Sequence, residues 1–170
     1  MLTPAQKATL KAYIDGQGDL SVHPNTNDGN EIVAGLLNAP ASPDFWVWRT
    51  AVSKAEYTER ESSDATTFNW TGAGFITRSQ GERDAWRELF GADDTVNPSL
   101  VNVRQAFQDI FSGGTAPAPA NRTHMATVSR RRATRVEQVF ATGTGSTGDP
   151  GLLTFEGTLT RVDVEEARNS

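Results

Sequence analysis

The chain contains no cysteine. Disulfides, thiolate metal sites and a cysteine nucleophile are therefore excluded together. Histidine is nearly as scarce, since only His23 and His124 occur, and neither stands in a motif with metal-ligand spacing. No apolar run is long enough to span a bilayer, and the first residues lack the apolar core of an export signal. We therefore expect a soluble, intracellular protein with no membrane partner.

Sequence motifs of enzymes are missing as well. Neither G-x-S-x-G nor H-E-x-x-H occurs. Gly143, Gly145 and Gly148 spell G-x-G-x-x-G, but a nucleotide loop needs a strand before this motif and a helix after it. Here a predicted helix precedes the motif and Asp149-Pro150 follows. We predict a flexible loop, no cofactor and no bound metal; a hydrolase that works with two carboxylates stays open, because acidic residues are abundant.

The composition indicates a folded but loop-rich protein. Of its 170 residues, 36% are hydrophobic and 22% charged, with 15 glycines and 8 prolines. The net charge of −5 argues against a dedicated nucleic-acid-binding domain, which is usually basic. A local basic patch on an acidic protein remains compatible with this charge.

Helix start signals are frequent along the chain. Thr3-Pro4 with Gln6 predicts a helix to about residue 15, and the pairs Ser53/Glu56, Ser79/Glu82 and Thr160/Asp163 match the capping box. Further helices are predicted around 31–38, from Asn97-Pro98 to about 112, over 121–142 as the longest, and over 161–168.

Extended structure is predicted at only two places. Residues 45–52 are aromatic and β-branched, which favours a strand, although Ser42-Pro43 also fits a helix start. Residues 152–160 indicate a second short strand. The predicted fold class is therefore mainly α: a bundle-like helical domain over 1–142, then an arm over 143–170 made of a flexible loop, a short strand and a C-terminal helix.

Four arginines are packed into six positions of the predicted long helix: Arg130, Arg131, Arg132 and Arg135. At 100° per residue, Arg132 projects from the apolar side of that helix and Arg130 lies nearly opposite. None of the four has an acid three or four residues away, so each needs a more distant partner. One interpretation pairs Arg132 with Asp109 and leaves the others solvated; a second places the arginines at a protein interface, and a third places one or two of them against DNA.

Several segments carry a resemblance to a known group of proteins. They are "LTPAQKATLKAYI", "PASPDFWVWRTAVSKAEY", "NPSLVNVRQAFQDIFSG" and "RRATRVEQVFATGTGSTGDPGLLTFEGTLTRVDVEEAR". In these segments the chain resembles the head–tail connector proteins of tailed bacteriophages, also described as adaptor or head-completion proteins. The resemblance implies a mainly helical subunit, without enzymatic activity or cofactor, that assembles as a ring beneath the portal.

The resemblance also implies partners and interface residues. The partners are copies of the chain in a ring, the portal protein, the next neck or tail protein, and DNA that passes through the channel without specific binding. The arm 143–170, with Phe155, is expected to dock on the portal. The arginine cluster is expected to pair with acids of a neighbouring copy, namely Asp163, Glu165 and Glu166. The implied location is the virion, assembled in the cytoplasm of the bacterial host.

Two other functions stay open at this point. A capsid decoration protein or a tail terminator is also small, and its sequence patterns barely differ. A DNA-binding regulator that uses Arg130, Arg131, Arg132 and Arg135 belongs to a different class and predicts salt-dependent DNA affinity.

Overall fold

The computed structural model describes residues 2–170, apart from the side chain of Ala73. Over these residues the fold is mainly helical, as predicted. The helices are α1 (Pro4–Gly16), α2 (Gly18–Ser21), α3 (Asn27–Asn38), α4 (Lys54–Thr58), α5 (Gln80–Leu89), α6 (Val101–Ile110), α7 (Ala118–Val128), α8 (Arg135–Val139) and α9 (Arg161–Arg168). The strands are β1 (Trp46–Trp48), β2 (Val52–Ser53), β3 (Thr95–Val96), β4 (Arg130–Arg132), β5 (Ala141–Thr142) and β6 (Leu152–Leu153).

Local capping chemistry sets the starts of many helices. At α1 the Thr3 hydroxyl accepts a hydrogen bond from the Gln6 amide at 3.2 Å, and Gln6 Oε1 accepts one from the Thr3 amide at 2.9 Å. The capping boxes predicted at Ser53, Ser79 and Thr160 are confirmed in the same form. Each box satisfies two backbone donors that a helix start otherwise leaves without partners.

The chain divides into two compact units. Unit 1 comprises residues 1–47 and 132–170, and unit 2 comprises residues 48–131. Residues 143–170 therefore belong to the same unit as the N-terminal helices, whereas the sequence analysis placed a boundary after residue 142.

Unit 1 has an aliphatic core. Helix α9 packs against α1 and α3, and α8 packs against α3. The side chains that meet there are buried: Leu10, Ile14, Val33, Leu37, Val136, Phe140, Leu159 and Val164. The helices are short, so this shared burial supplies most of their stability.

Unit 2 has an aromatic core. Trp86 of α5 is buried, and its ring centroid lies 4.7 Å from that of Phe90, 5.5 Å from Phe68 and 5.4 Å from Phe111. Offset and edge-to-face pairs of this kind are favoured beyond simple area burial. Further buried side chains of this core come from α6, with Val103, Phe107 and Ile110, and from α7, with Met125.

Within residues 2–170 the strands form three two-stranded pairs, β1–β4, β2–β3 and β5–β6. In β2–β3, Val52 faces Val96 in an antiparallel register, and in β5–β6, Ala141 faces Leu153. The strand predicted over 45–52 is thus present at β1, where Val47 is buried between two half-buried tryptophans. The strand predicted over 152–160 is limited to β6.

The long helix predicted over 121–142 is wrong. Helix α7 ends at Val128, the chain is extended as β4 through Arg130–Arg132, and α8 begins after Thr134. Like charges at neighbouring helical positions disfavour a helix through the arginines, and strand pairing satisfies their backbone groups. Thr134 and Glu137 then form a capping box that starts α8 afresh.

The segment 143–170 lies packed on the rest of unit 1. Trp46 bonds to both sides of the glycine-rich loop, since its amide donates to the Gly145 carbonyl at 2.7 Å and its carbonyl accepts from Gly151 at 2.8 Å. Further along, Asn38 and Leu159 exchange two hydrogen bonds of 2.8 Å. The strand β6 finds its partner edge in β5 of the same chain.

Candidate functional site

The four clustered arginines do not form one basic surface. Arg130 and Arg131 belong to unit 2, and Arg132 and Arg135 to unit 1. Arg130, Arg132 and Arg135 are each paired with a carboxylate of their own chain. The expectation that these charges lack partners within one subunit is therefore wrong for Arg130, Arg132 and Arg135.

Arg132 lies on β4 and not on the apolar side of a helix. Its guanidinium pairs with Asp44 and lies 5.9 Å from the centre of the Trp46 ring. The side chain is 58% exposed, so its charge is largely solvated. The predicted partner Asp109 was wrong, because Asp109 of α6 instead accepts a hydrogen bond from Gln105.

Arg135, at the start of α8, makes the most complete ion pair of the cluster. Both terminal nitrogens donate to Asp19, and Nε donates to the Tyr13 hydroxyl at 2.9 Å. The hydrogen bonds from Arg135 lower the pKa of Asp19, and the same contact raises the pKa of Arg135. A bidentate pair of this type fixes geometry as well as charge, so Arg135 ties α8 to α1 and α2 within unit 1.

Arg130 and Arg131 lie on β4 at the unit 2 end of the strand. Arg130 pairs with Asp64 at 2.7 Å, and its side chain is mostly buried. Arg131 is half-buried beside it. Neither arginine is presented as a free cation, which weakens the interpretation of this cluster as a phosphate-binding surface.

The other predicted interface residues are spread over the C-terminal segment of unit 1. Phe155 is half-buried and packs on Phe140, with ring centroids 5.4 Å apart. Asp163 caps α9: partial burial opposes its ionisation, but hydrogen bonds from Thr160 outweigh this and lower the pKa of Asp163. Glu166 pairs with Lys7 at 2.7 Å. The side chain of Glu165 makes no hydrogen bond or ion pair with any residue that the structure describes.

The glycine-rich loop has a packing role. Gly145 has a φ of +68°, and a Cβ at this position would lie 2.2 Å from the ring of Phe45. A Cβ at Gly151 would lie 2.8 Å from the same ring. These glycines let the loop close over Phe45, which is a structural function unrelated to nucleotide phosphates.

A buried histidine organises part of unit 2. His124 of α7 contacts the Tyr57 carbonyl through Nε2 at 2.7 Å and the Thr66 hydroxyl through Nδ1 at 3.0 Å. A carbonyl only accepts, so Nε2 carries a proton and donates to Tyr57. Ser62 continues the network with a 2.6 Å contact to Thr66. The network anchors the 57–66 segment to α7.

The candidate site that the sequence did not predict is a groove lined by residues of α6 and α7 and by Trp48. Its volume is about 300 Å³. The lining combines apolar and cationic side chains: Trp48, Val101, Arg104, Phe107, Arg122 and Met125. We call it the α6–α7 groove.

Two guanidinium groups flank the α6–α7 groove. Arg104 lies 4.5 Å from the centre of the Trp48 ring, and its Nη1 donates to the carbonyls of Pro98 and Ser99 at 2.7 Å each. Arg122 donates to the carbonyls of Phe111 and Gly113. Backbone carbonyls hold both groups in place without neutralising them, and neither meets a carboxylate within residues 2–170. Desolvation by the surrounding chain lowers the pKa of Arg104.

The described residues contain no cluster of three or more acidic or histidine side chains placed to hold a metal ion. No helix of the described chain is both long and apolar enough to cross a membrane. In comparisons with known proteins, no protein family, no curated protein and no solved structure matches the chain.

Proposed function

We propose that the chain is a head–tail connector subunit of a tailed bacteriophage. In this proposal it is a structural virion protein, without enzymatic activity or cofactor, that is assembled in the host cytoplasm. It forms a ring on the portal and joins the head to the next neck or tail protein. The four sequence segments that resemble connector proteins support this assignment, and so does the mainly helical fold that the resemblance implies.

The observation that carries the proposal is the α6–α7 groove. Its lining combines apolar side chains with Arg104 and Arg122, whose charges have no acidic partner in the described chain. At its rim Val101 is 72% exposed. Arginine beside apolar and aromatic surface is enriched at protein interfaces. Such a surface fits a subunit that is completed by neighbours.

The packing of residues 143–170 on unit 1 bears on which surface of the subunit docks on the portal. Residues 143–170 are held to the rest of unit 1 by backbone pairing and by the buried Leu159 and Val164. We therefore propose that the portal is met by the folded surface of the subunit and not by a detached arm. The net charge of −5 suits a wall past which DNA moves without specific binding.

The test is the copy number of the chain in purified virions, measured against the portal protein by quantitative mass spectrometry with isotope-labelled peptides. A connector is expected at about the number of copies in one portal ring. Hundreds of copies would identify a capsid decoration protein instead. Absence from the virion would overturn the proposal and return attention to DNA binding.

A further inference from the structure

The α6–α7 groove defines the chemistry of what it binds. The apolar side chains of Phe107 and Met125 line it together with two cations, Arg104 and Arg122. The complementary occupant is therefore an apolar side chain that is flanked by carboxylates. Leucine, isoleucine or valine next to glutamate on a short helix meets this description, because residues three and four apart share one helical face.

The outer face of α9 has this pattern. Val162 is 48% exposed, and Glu165 and Glu166 lie three and four residues further along the helix. The opposite face carries Val164 and Ala167, which are buried in the core of unit 1. Thus one side of α9 is buried in unit 1, and the other side carries the exposed Val162 with the carboxylates of Glu165 and Glu166.

The charges on the two surfaces complement each other. The side chain of Glu165 has no ion pair among the described residues, and Arg104 and Arg122 have no carboxylate partner there. Glu166 is paired with Lys7, so Glu165 is the carboxylate of this face that an arginine of another copy would pair with. Both Val101 and Val162 are exposed within a single chain, so each surface remains available to another molecule.

We propose that the outer face of α9 in one copy binds in the α6–α7 groove of a second copy. Val162 enters the apolar part of the groove, and Glu165 pairs with one or both arginines. The two surfaces are different, so the contact is head-to-tail and repeats from copy to copy, which is the arrangement that generates a ring. This inference rests on the proposed connector function and names the contact by which its ring would form.

The absence of cysteine allows a direct test by disulfide trapping. One variant carries Val101→Cys at the groove and a second carries Val162→Cys on α9. Val101→Cys is mixed with Val162→Cys under mild oxidation, and heterodimers are counted by non-reducing mass spectrometry. A disulfide forms only where the two Cα atoms approach within about 7 Å, so the proposal predicts a heterodimer from this mixture.

The matched control replaces Val162→Cys with Ile32→Cys. Ile32 lies on α3 of the same unit and is also 48% exposed. The proposal expects the Val101/Val162 heterodimer to exceed the Val101/Ile32 heterodimer about tenfold, the factor that corresponds to one well-formed charge pair in the docked complex. Equal yields would overturn it. A predominance of Val101/Val101 homodimers would also overturn it, since that result means a symmetric contact.

A charge variant separates specific docking from chance collision. Glu165→Lys in the Val162→Cys chain is expected to lower the heterodimer yield about tenfold, because it sets a third cation beside two arginines. Glu31→Lys makes the same change of charge on α3 and is expected to leave the yield unchanged. An equal effect of both changes would show that only net charge matters and would overturn the proposal.

The outcomes for the contact and for the function are distinguishable. A ring-sized copy number in virions without the heterodimer would overturn this contact and leave the connector proposal standing. The heterodimer together with absence from virions would establish the contact and overturn the connector proposal.

Discussion

Replacing Gly145 with alanine tests whether the glycine-rich loop is packed on Phe45 in the free protein. The new methyl group would be placed 2.2 Å from the ring carbons of Phe45, so the ring or the loop has to move. The backbone at this position has a φ of +68°, which alanine adopts at a cost of about 1–2 kcal/mol. Forcing a methyl group into a filled site adds about 1–3 kcal/mol.

Gly145→Ala is therefore expected to lower the free energy of unfolding by about 2–5 kcal/mol. The measurement is urea unfolding followed by circular dichroism, with the loss read from the transition midpoint and slope. Gly148→Ala is the matched control, because Gly148 lies in the same loop, has no positive φ and has no heavy atom near its Cβ position. It is expected to change the stability by less than about 1 kcal/mol.

The double variant Gly145→Ala with Phe45→Ala isolates the steric contribution. Removing the ring relieves the clash, so the alanine at 145 is expected to cost less in this background than in the parent chain. If Gly145→Ala costs no more than Gly148→Ala, the loop does not lie on Phe45 in solution. The flexible-loop interpretation drawn from the sequence would then be correct.

Two further predictions concern α9. Val164→Ala removes a fully buried side chain from the core of unit 1 and is expected to cost about 2–3 kcal/mol, whereas Val162→Ala on the exposed face is expected to cost less than about 0.5 kcal/mol in the same urea titration. Equal losses of stability for Val164→Ala and Val162→Ala would show that the Val164 face of α9 is not the buried one. The pKa of Asp163 is lowered in the folded chain, so its contribution to stability is fully present above its ordinary value near 3.8 and is lost as the pH falls through the folded pKa. Asp163→Asn is therefore expected to make the free energy of unfolding depend less steeply on pH below about pH 4. An unchanged pH dependence would contradict this. Asp28→Asn on α3 serves as the control.

Local chemistry made the helix starts predictable. The Thr160/Asp163 pair placed a helix over 161–168, and α9 has these bounds. A capping box is formed by residues three apart, so nothing outside the segment has to be known. The helix predicted after Asn97-Pro98 begins somewhat later, at Val101, because Asn97 bonds to Ser99 in a turn that precedes it.

The failure at 121–142 shows the limit of helical periodicity. Apolar residues at Met125, Val128, Val136 and Val139 fit one helical face, although the chain is extended between them. The signal against a single helix was present, since Thr134 and Glu137 match the capping box that was used elsewhere in the chain. What the sequence does not show is that β4 pairs with β1, which lies far away along the chain.

The acidic partners of the arginines could not be predicted from neighbouring residues either, because they lie far away along the chain. Asp19 lies 116 residues before Arg135, and Asp44 lies 88 residues before Arg132. The composition shows that acidic residues are present, but only the fold determines which of them pairs with each arginine. The α6–α7 groove was missed because it joins Trp48 to α6 and α7, and no single segment carries its pattern.

The division of the chain into units has a consequence for biosynthesis. Unit 2 is continuous over residues 48–131, whereas unit 1 joins residues before position 48 to residues after position 131. During translation unit 2 is complete while α1 and α3 still lack α9, so we expect unit 2 to fold first and unit 1 to close last. The α9 face is therefore displayed in folded form only by chains synthesised beyond α9. A chain that ends before α9 keeps the α6–α7 groove of unit 2 and lacks the α9 face, so in the proposed ring it would bind one neighbour and not a second.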